Sequence, residues 1–122
     1  MANVLVVDDS IMIRKLIKTI LENENHKVIA EASDGEEAYN MYTKFNPDLV
    51  TMDVSMPNVN GILAVKKIIN NYPEANIIMV SAISQRDMVF EALESGAKHY
   101  IIKPITREKI ISVINEVLCP IE

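Results

Sequence analysis

Short aliphatic runs alternate along this chain with longer stretches of helical period, and no other feature narrows the possible folds as much. The runs are Val4-Leu5-Val6-Val7, Lys27-Val28-Ile29-Ala30, Asp48-Leu49-Val50-Thr51-Met52, Asn76-Ile77-Ile78-Met79-Val80 and His99-Tyr100-Ile101-Ile102. Their near-continuous hydrophobicity, without strict alternation, is what strands covered on both faces show, so five buried parallel strands are expected. Between them Ile13, Leu16, Ile17 and Ile20 recur at i, i+3, i+4 and i+7, as do Ala38, Met41, Tyr42 and Phe45. Ile62, Val65, Ile69 and Tyr72 follow less regularly, then Val89, Ala92 and Leu93, and finally Ile110, Val113, Ile114 and Val117. Each stretch offers one apolar stripe to a sheet, giving five helices. Asp34 and Thr106 are expected N-caps, and Gly96 stands where a helix ends in a positive-φ residue. Right-handed crossovers convert this pattern into a doubly wound α/β sandwich, whose working residues lie at the carboxyl ends of the strands.

With 122 residues, no linker and no low-complexity tract, the chain is expected to be a single domain spanning residues 1–122. Hydrophobic residues make up 49% and charged residues 24%, which excludes disorder driven by low hydrophobicity and high charge. No apolar run reaches the length of a membrane span, and no signal peptide precedes the first strand, so a cytoplasmic protein without a membrane partner is expected. Cys119 is the sole cysteine, which rules out an intrachain disulfide or a Cys-x-x-Cys zinc site. A net charge of −5 argues against nucleic-acid binding. The three glycines, Gly35, Gly61 and Gly96, are too dispersed for a phosphate-cradling loop. His26 and His99 follow no metal-ligand spacing and read as ordinary surface or edge residues.

The strand ends carry Asp8-Asp9, Asp53, Ser81 and Lys103-Pro104 in order. Each has a plain reading alone: the acidic pair as a helix cap, Asp53 as a turn residue, Ser81 as a cap, Lys103 as a solvated strand end. Together at one rim they form a constellation. Carboxylates held about 4 Å apart repel by about 4 kcal/mol per pair at an effective dielectric of 20, so the trio calls for a cation. Oxygen-only ligands favour magnesium or another hard divalent ion. A lysine and a hydroxyl beside a metal-bound carboxylate are the parts that hold a transferring phosphoryl group, with Asp53 as the nucleophile that becomes an aspartyl phosphate. Lys103-Pro104 is a bond where a cis peptide is plausible.

Val6-Val7-Asp8-Asp9-Ser10, Thr51-Met52-Asp53-Val54-Ser55-Met56-Pro57, Asn60-Gly61, Val80-Ser81-Ala82 and Ile102-Lys103-Pro104 closely resemble the receiver domain of two-component response regulators. Glu31-Ala32-Ser33-Asp34-Gly35-Glu36-Glu37-Ala38 and Ser81-Ala82-Ile83-Ser84-Gln85 are most similar to the stand-alone chemotaxis regulators of the CheY family, bacterial and archaeal. The resemblance implies a flavodoxin-like sheet of strand order 2-1-3-4-5, an order for which that family is itself a standard example. It implies that Asp53 accepts a phosphoryl group from a CheA-type histidine kinase. Asp8, Asp9, Asp53 and the backbone carbonyl of Ser55 would organise Mg2+ (or Mn2+), Lys103 would bind a phosphoryl oxygen, Ser81 would shift toward it, and Tyr100 would be the aromatic switch. Such a protein is not an enzyme acting on others; it performs self-directed phosphotransfer and autodephosphorylation.

The chain is expected to lack an effector domain, so the face formed by the fourth helix, fifth strand and fifth helix would be the output. Asp87, Glu91 and Glu94 stand against Arg86 on the fourth helix, and Val113 and Glu116 replace lysines that bacterial motor-binding relatives carry on the last helix. An acidic face predicts a partner with a basic contact site, either a motor switch protein or an archaeal-type adaptor. A phosphatase and a monomeric state are also expected. The alternatives are a phosphorelay intermediate serving a histidine phosphotransfer protein, and a magnesium-dependent phosphatase, whose usual Asp-x-Asp pair is missing around Asp53.

Overall fold

The computed structural model describes residues 1–119. The elements run β1 (Asn3–Val7), α1 (Ile11–Asn23), β2 (Lys27–Ala32), α2 (Gly35–Phe45), β3 (Leu49–Asp53), α3 (Gly61–Asn71), β4 (Ile77–Ser81), a 3-10 turn (Ile83–Gln85), α4 (Arg86–Glu94), β5 (His99–Ile102) and α5 (Arg107–Leu118). The five strands form one sheet in the order β2-β1-β3-β4-β5, with every neighbouring pair parallel. The expected doubly wound, flavodoxin-like architecture and its strand order are both present.

Alternation along the strands divides the core into two layers. Leu5, Val7, Val50, Met52, Ile77 and Met79 face Ala38 and Tyr42 of α2, Ile62, Val65 and Ile68 of α3, and Val89 and Ala92 of α4. Val4, Val6, Leu49, Ile78 and Ile101 face Ile17, Ile20 and Leu21 of α1 and Ile110 and Ile114 of α5. Three strands, β1, β3 and β4, are covered on both sides, which is why their sequences read as unbroken apolar runs. The edge strand β2 departs from that expectation: Val28, Ile29 and Ala30 are only half-buried, because one flank has no neighbouring strand.

Helix starts follow local side-chain chemistry. Ser10 Oγ accepts from Ile13 N–H, Asp34 Oδ1 from Glu37 N–H, Asn60 Oδ1 from Leu63 N–H and Thr106 Oγ1 from Lys109 N–H. Asp34 and Thr106 are the expected caps. Before α1 the cap is Ser10 rather than the acidic pair, which leaves Asp8 and Asp9 for other work. After α4, Gly96 takes φ +120°, as its position predicted. Two stripe residues are misplaced by periodicity alone: Leu16 lies at the margin of the buried face and Phe45 at the last position of α2, and both are exposed.

Candidate functional site

Asp53 and Ser81 end their strands, one residue further along than the apolar runs suggested. The parallel ladder continues past these ends and fixes the rim. Asp8 N–H donates to Ala32 O at 3.0 Å, Val54 N–H to Val80 O at 3.0 Å, and Lys103 N–H to Ser81 O at 2.8 Å. Together with the β1–β3 pairing, these bonds align the four segments that carry Asp8, Asp53, Ser81 and Lys103. Alternation then puts Asp8, in register with Val4 and Val6, and Asp53, in register with Leu49, on the α1/α5 side, and Ser81, in register with Ile77 and Met79, on the other.

Asp8, Asp9 and Asp53 each offer a carboxylate oxygen, and these oxygens lie within 4.8 Å of one another. Asp8 and Asp53 are 1% and 4% exposed, whereas Asp9 is open to solvent. Lys103 Nζ stands 3.5 Å from Asp53 Oδ1 and 3.7 Å from Asp8 Oδ2. One ammonium faces three carboxylates. Burial, reinforced by the neighbouring Asp8 and partly opposed by Lys103, pushes the Asp53 carboxyl up to about 6. Burial also raises Asp8, against the Ser10 N–H that donates to its Oδ1 at 2.9 Å. Asp8 Oδ2 is buried without a hydrogen-bond partner. An orphaned anionic oxygen within an all-oxygen donor set fits a hard divalent cation, so Mg2+ or Mn2+ suits the residues present.

Ser81 is fully buried, and its Oγ likewise has no hydrogen-bond partner. A hydroxyl in this state costs on the order of 1–3 kcal/mol, a cost that an incoming acceptor beside it would relieve. Ser55 lies in the loop 54–60, which leads from Asp53 to α3, and is exposed. Tyr100 sits on β5, paired with Met79, and is 42% exposed. Its ring borders a cavity of about 400 Å3 shared with Arg86, Val89, Phe90, Leu93 and Ile102. The Lys103-Pro104 bond is cis.

The roles of two residues escaped the sequence reading. Arg14 donates from Nη1 to Asp8 O at 2.6 Å and from Nε to Glu31 Oε1 at 3.0 Å, tying α1 and β2 to the backbone of the acidic pair. A cation near the start of a helix, where the dipole disfavours it, was the available hint. Gly61 is the second: a Cβ there would stand 2.1 Å from Asp53 O. Its N–H donates to Val54 O at 2.9 Å, so α3 starts against the carbonyl of Asp53 itself. Of the histidines, His26 accepts from Ala2 N–H at 3.0 Å and His99 pairs with Glu116 at 2.6 Å, both remote from the acidic cluster in the fold.

Residues 4–115 match the family model described as the response regulator receiver domain. Protein CcdB of Bacillus subtilis is 45% identical over 97% of this chain and 98% of its own length. The chemotaxis protein CheY of Thermotoga maritima is 42% identical over 93% of this chain and 95% of its own. Among solved structures, the CheX-CheY-BeF3-Mg2+ complex from Borrelia burgdorferi aligns with a TM-score of 0.90 and 38% identity, covering 94% of this chain and 87% of that one.

Proposed function

The chain belongs to the response regulator receiver family, and from that premise we propose that it is a phosphorylation-controlled chemotaxis regulator of the CheY type. The observation that carries this reading is the meeting of Asp8, Asp9 and Asp53 with Lys103 at one rim of the sheet. CheY relatives matching nearly end to end supply the chemotaxis assignment.

In this reading Asp53 is the nucleophile. An Asp53 carboxylate oxygen attacks the phosphorus of a phosphohistidine on a CheA-type kinase; the O–P bond forms as the P–N bond breaks, and the imidazole leaves with the electron pair and takes up a proton. Asp8, Asp9, Asp53 and the Ser55 carbonyl would hold Mg2+, which would supply charge neutralisation for the phosphoryl oxygens. Lys103 binds a phosphoryl oxygen with its ammonium. Ser81 would donate its hydroxyl proton, whose oxygen is buried without a hydrogen-bond partner, to a phosphoryl oxygen. Its movement frees space toward β5, and the Tyr100 ring turns inward from the groove along α4, remodelling the face of α4, β5 and α5 that meets a motor switch protein or adaptor. The protein is the acceptor, not a catalyst for other substrates. A phosphatase would reset it; the Borrelia relative is found in complex with a second protein, CheX.

Incubation with acetyl phosphate and Mg2+ should form one acid-stable, hydroxylamine-sensitive acyl phosphate in the parent protein and none in Asp53→Asn. In the parent, beryllofluoride with Mg2+ should move NMR signals across residues 84–116. Label persisting at full stoichiometry in Asp53→Asn would overturn the assignment. The second reading is a phosphorelay intermediate. Transfer from the labelled chain to a histidine phosphotransfer protein would select it.

A further inference from the structure

The loop 54–60 is tied down at both ends by backbone contacts that only glycine permits. Gly35, the first residue of α2, donates its N–H to Val59 O at 2.7 Å. A Cβ at position 35 would lie 2.5 Å from that oxygen and 2.7 Å from Val59 Cγ1. Beside this contact Asn58, at φ +65°, donates from Nδ2 to Glu36 Oε2 at 3.3 Å. At the start of the loop Gly61 N–H holds Val54 O at 2.9 Å. Ser55 lies between these ties. The first N–H groups of a helix have no partner within the helix, so the start of α2 is satisfied by the loop and the loop is shaped by α2.

We propose that Gly35 is a positioning residue for the metal site, setting through Val59 the path of the loop that presents the Ser55 carbonyl to the three carboxylates. This rests on the reading of Asp8, Asp9, Asp53 and the Ser55 carbonyl as a Mg2+ site. A methyl group at position 35 meets a backbone oxygen, which no side-chain rotation can clear. Either α2 or the loop must withdraw. Asp53 would not follow, because the β3–β4 ladder holds it through Val54 N–H and Val80 O. The carbonyl would therefore move relative to the carboxylates. Mg2+ demands near-ideal octahedral geometry and tolerates such a displacement poorly. Supporting residues of this kind typically change metal affinity by 10- to 100-fold when altered.

The test is a calorimetric Mg2+ titration of the parent, Gly35→Ala, Asn58→Gly and Ile114→Val, with thermal unfolding of each. Gly35→Ala should bind Mg2+ about tenfold more weakly. In acetyl phosphate labelling its half-saturating Mg2+ should rise by the same factor while the rate at saturating Mg2+ stays at the parental level. Ile114→Val removes a buried methyl from the α5 core layer, far from the loop, and should lower the unfolding temperature without changing Mg2+ affinity. Asn58→Gly keeps the left-handed backbone, loses only the link to Glu36, and should weaken binding by a smaller factor. Parental affinity in folded Gly35→Ala, or an equal loss in Ile114→Val, overturns the proposal. If Gly35→Ala does not fold, parental affinity in Asn58→Gly overturns it instead. A parent that binds no Mg2+ overturns the reading of the site, and the proposal with it.

Discussion

Asp53 shows how burial sets the chemistry of a single side chain. Its carboxyl is raised from the ordinary 3.8 to about 6, so in the metal-free protein the folded state holds this proton more tightly than the unfolded chain. Stability contributed by the protonated form is present below the unfolded value and is lost as pH rises from about 4 through about 6, amounting to about 2–3 kcal/mol at most. Chemical denaturation across that range should show the decline in the parent and a flatter profile in Asp53→Asn, which has no charge to bury. Identical profiles would mean that the site does not penalise the carboxylate. Thr51 makes the complementary case. It is fully buried two residues before Asp53 on β3, with Oγ1 lacking any partner. Thr51→Val keeps the shape and removes the orphaned hydroxyl, so it should stabilise the protein by about 1 kcal/mol in urea unfolding and leave Mg2+ binding unchanged.

At the scale of elements, the site depends on where helices begin. Asn60 caps α3, and Gly61 lets the first turn approach the end of β3 until only hydrogen atoms fit between them. Gly61→Ala should therefore cost more than its helix propensity, which favours alanine. The added methyl would meet the Asp53 carbonyl, and overpacking of this type costs about 1–3 kcal/mol. Urea unfolding should read that loss, together with a weakened Mg2+ response, since the displaced carbonyl belongs to Asp53, the proposed phosphoacceptor. A variant more stable than the parent would show that helix propensity outweighs the contact.

Across the whole molecule, part of the acidic surface that the sequence suggested is engaged in contacts within the protein. Lys66 on α3 reaches Glu91 at 2.6 Å, and His99 on β5 reaches Glu116 at 2.6 Å. Arg107 on α5 pairs with Glu24 at the end of α1, which holds its guanidinium above the usual range. Among the described residues, Asp87 and Glu94 are the acids of α4 without an ion pair. If the output partner presents a basic contact, Glu94 is the cleaner probe, because reversing Glu91 would also break a contact within the protein. Glu94→Lys should lower affinity for a purified motor component or adaptor at low salt, with the difference closing toward about 1 M salt, where screening reaches about 3 Å. Equal affinities at every salt concentration would remove α4 charge from the interface.

What the chain determined locally was readable without coordinates. Five apolar runs and five helical stripes specify a parallel sheet between helices, because burial on both faces leaves its mark residue by residue in β1, β3 and β4. The acids, the hydroxyl and the lysine stood out because they interrupt apolar runs at strand ends. The strand order was not contained in that periodicity and came with the family resemblance. Tertiary structure alone decided the rest: Lys103 within 3.7 Å of two carboxylates, Arg14 joining Asp8 to Glu31, Lys66 answering Glu91, and Gly61 and Gly35 pressed against Asp53 and Val59. Each of these depends on a distance between residues on different elements. Periodicity records how a residue faces its own layer, whereas such distances are set by how the sheet and helices pack together.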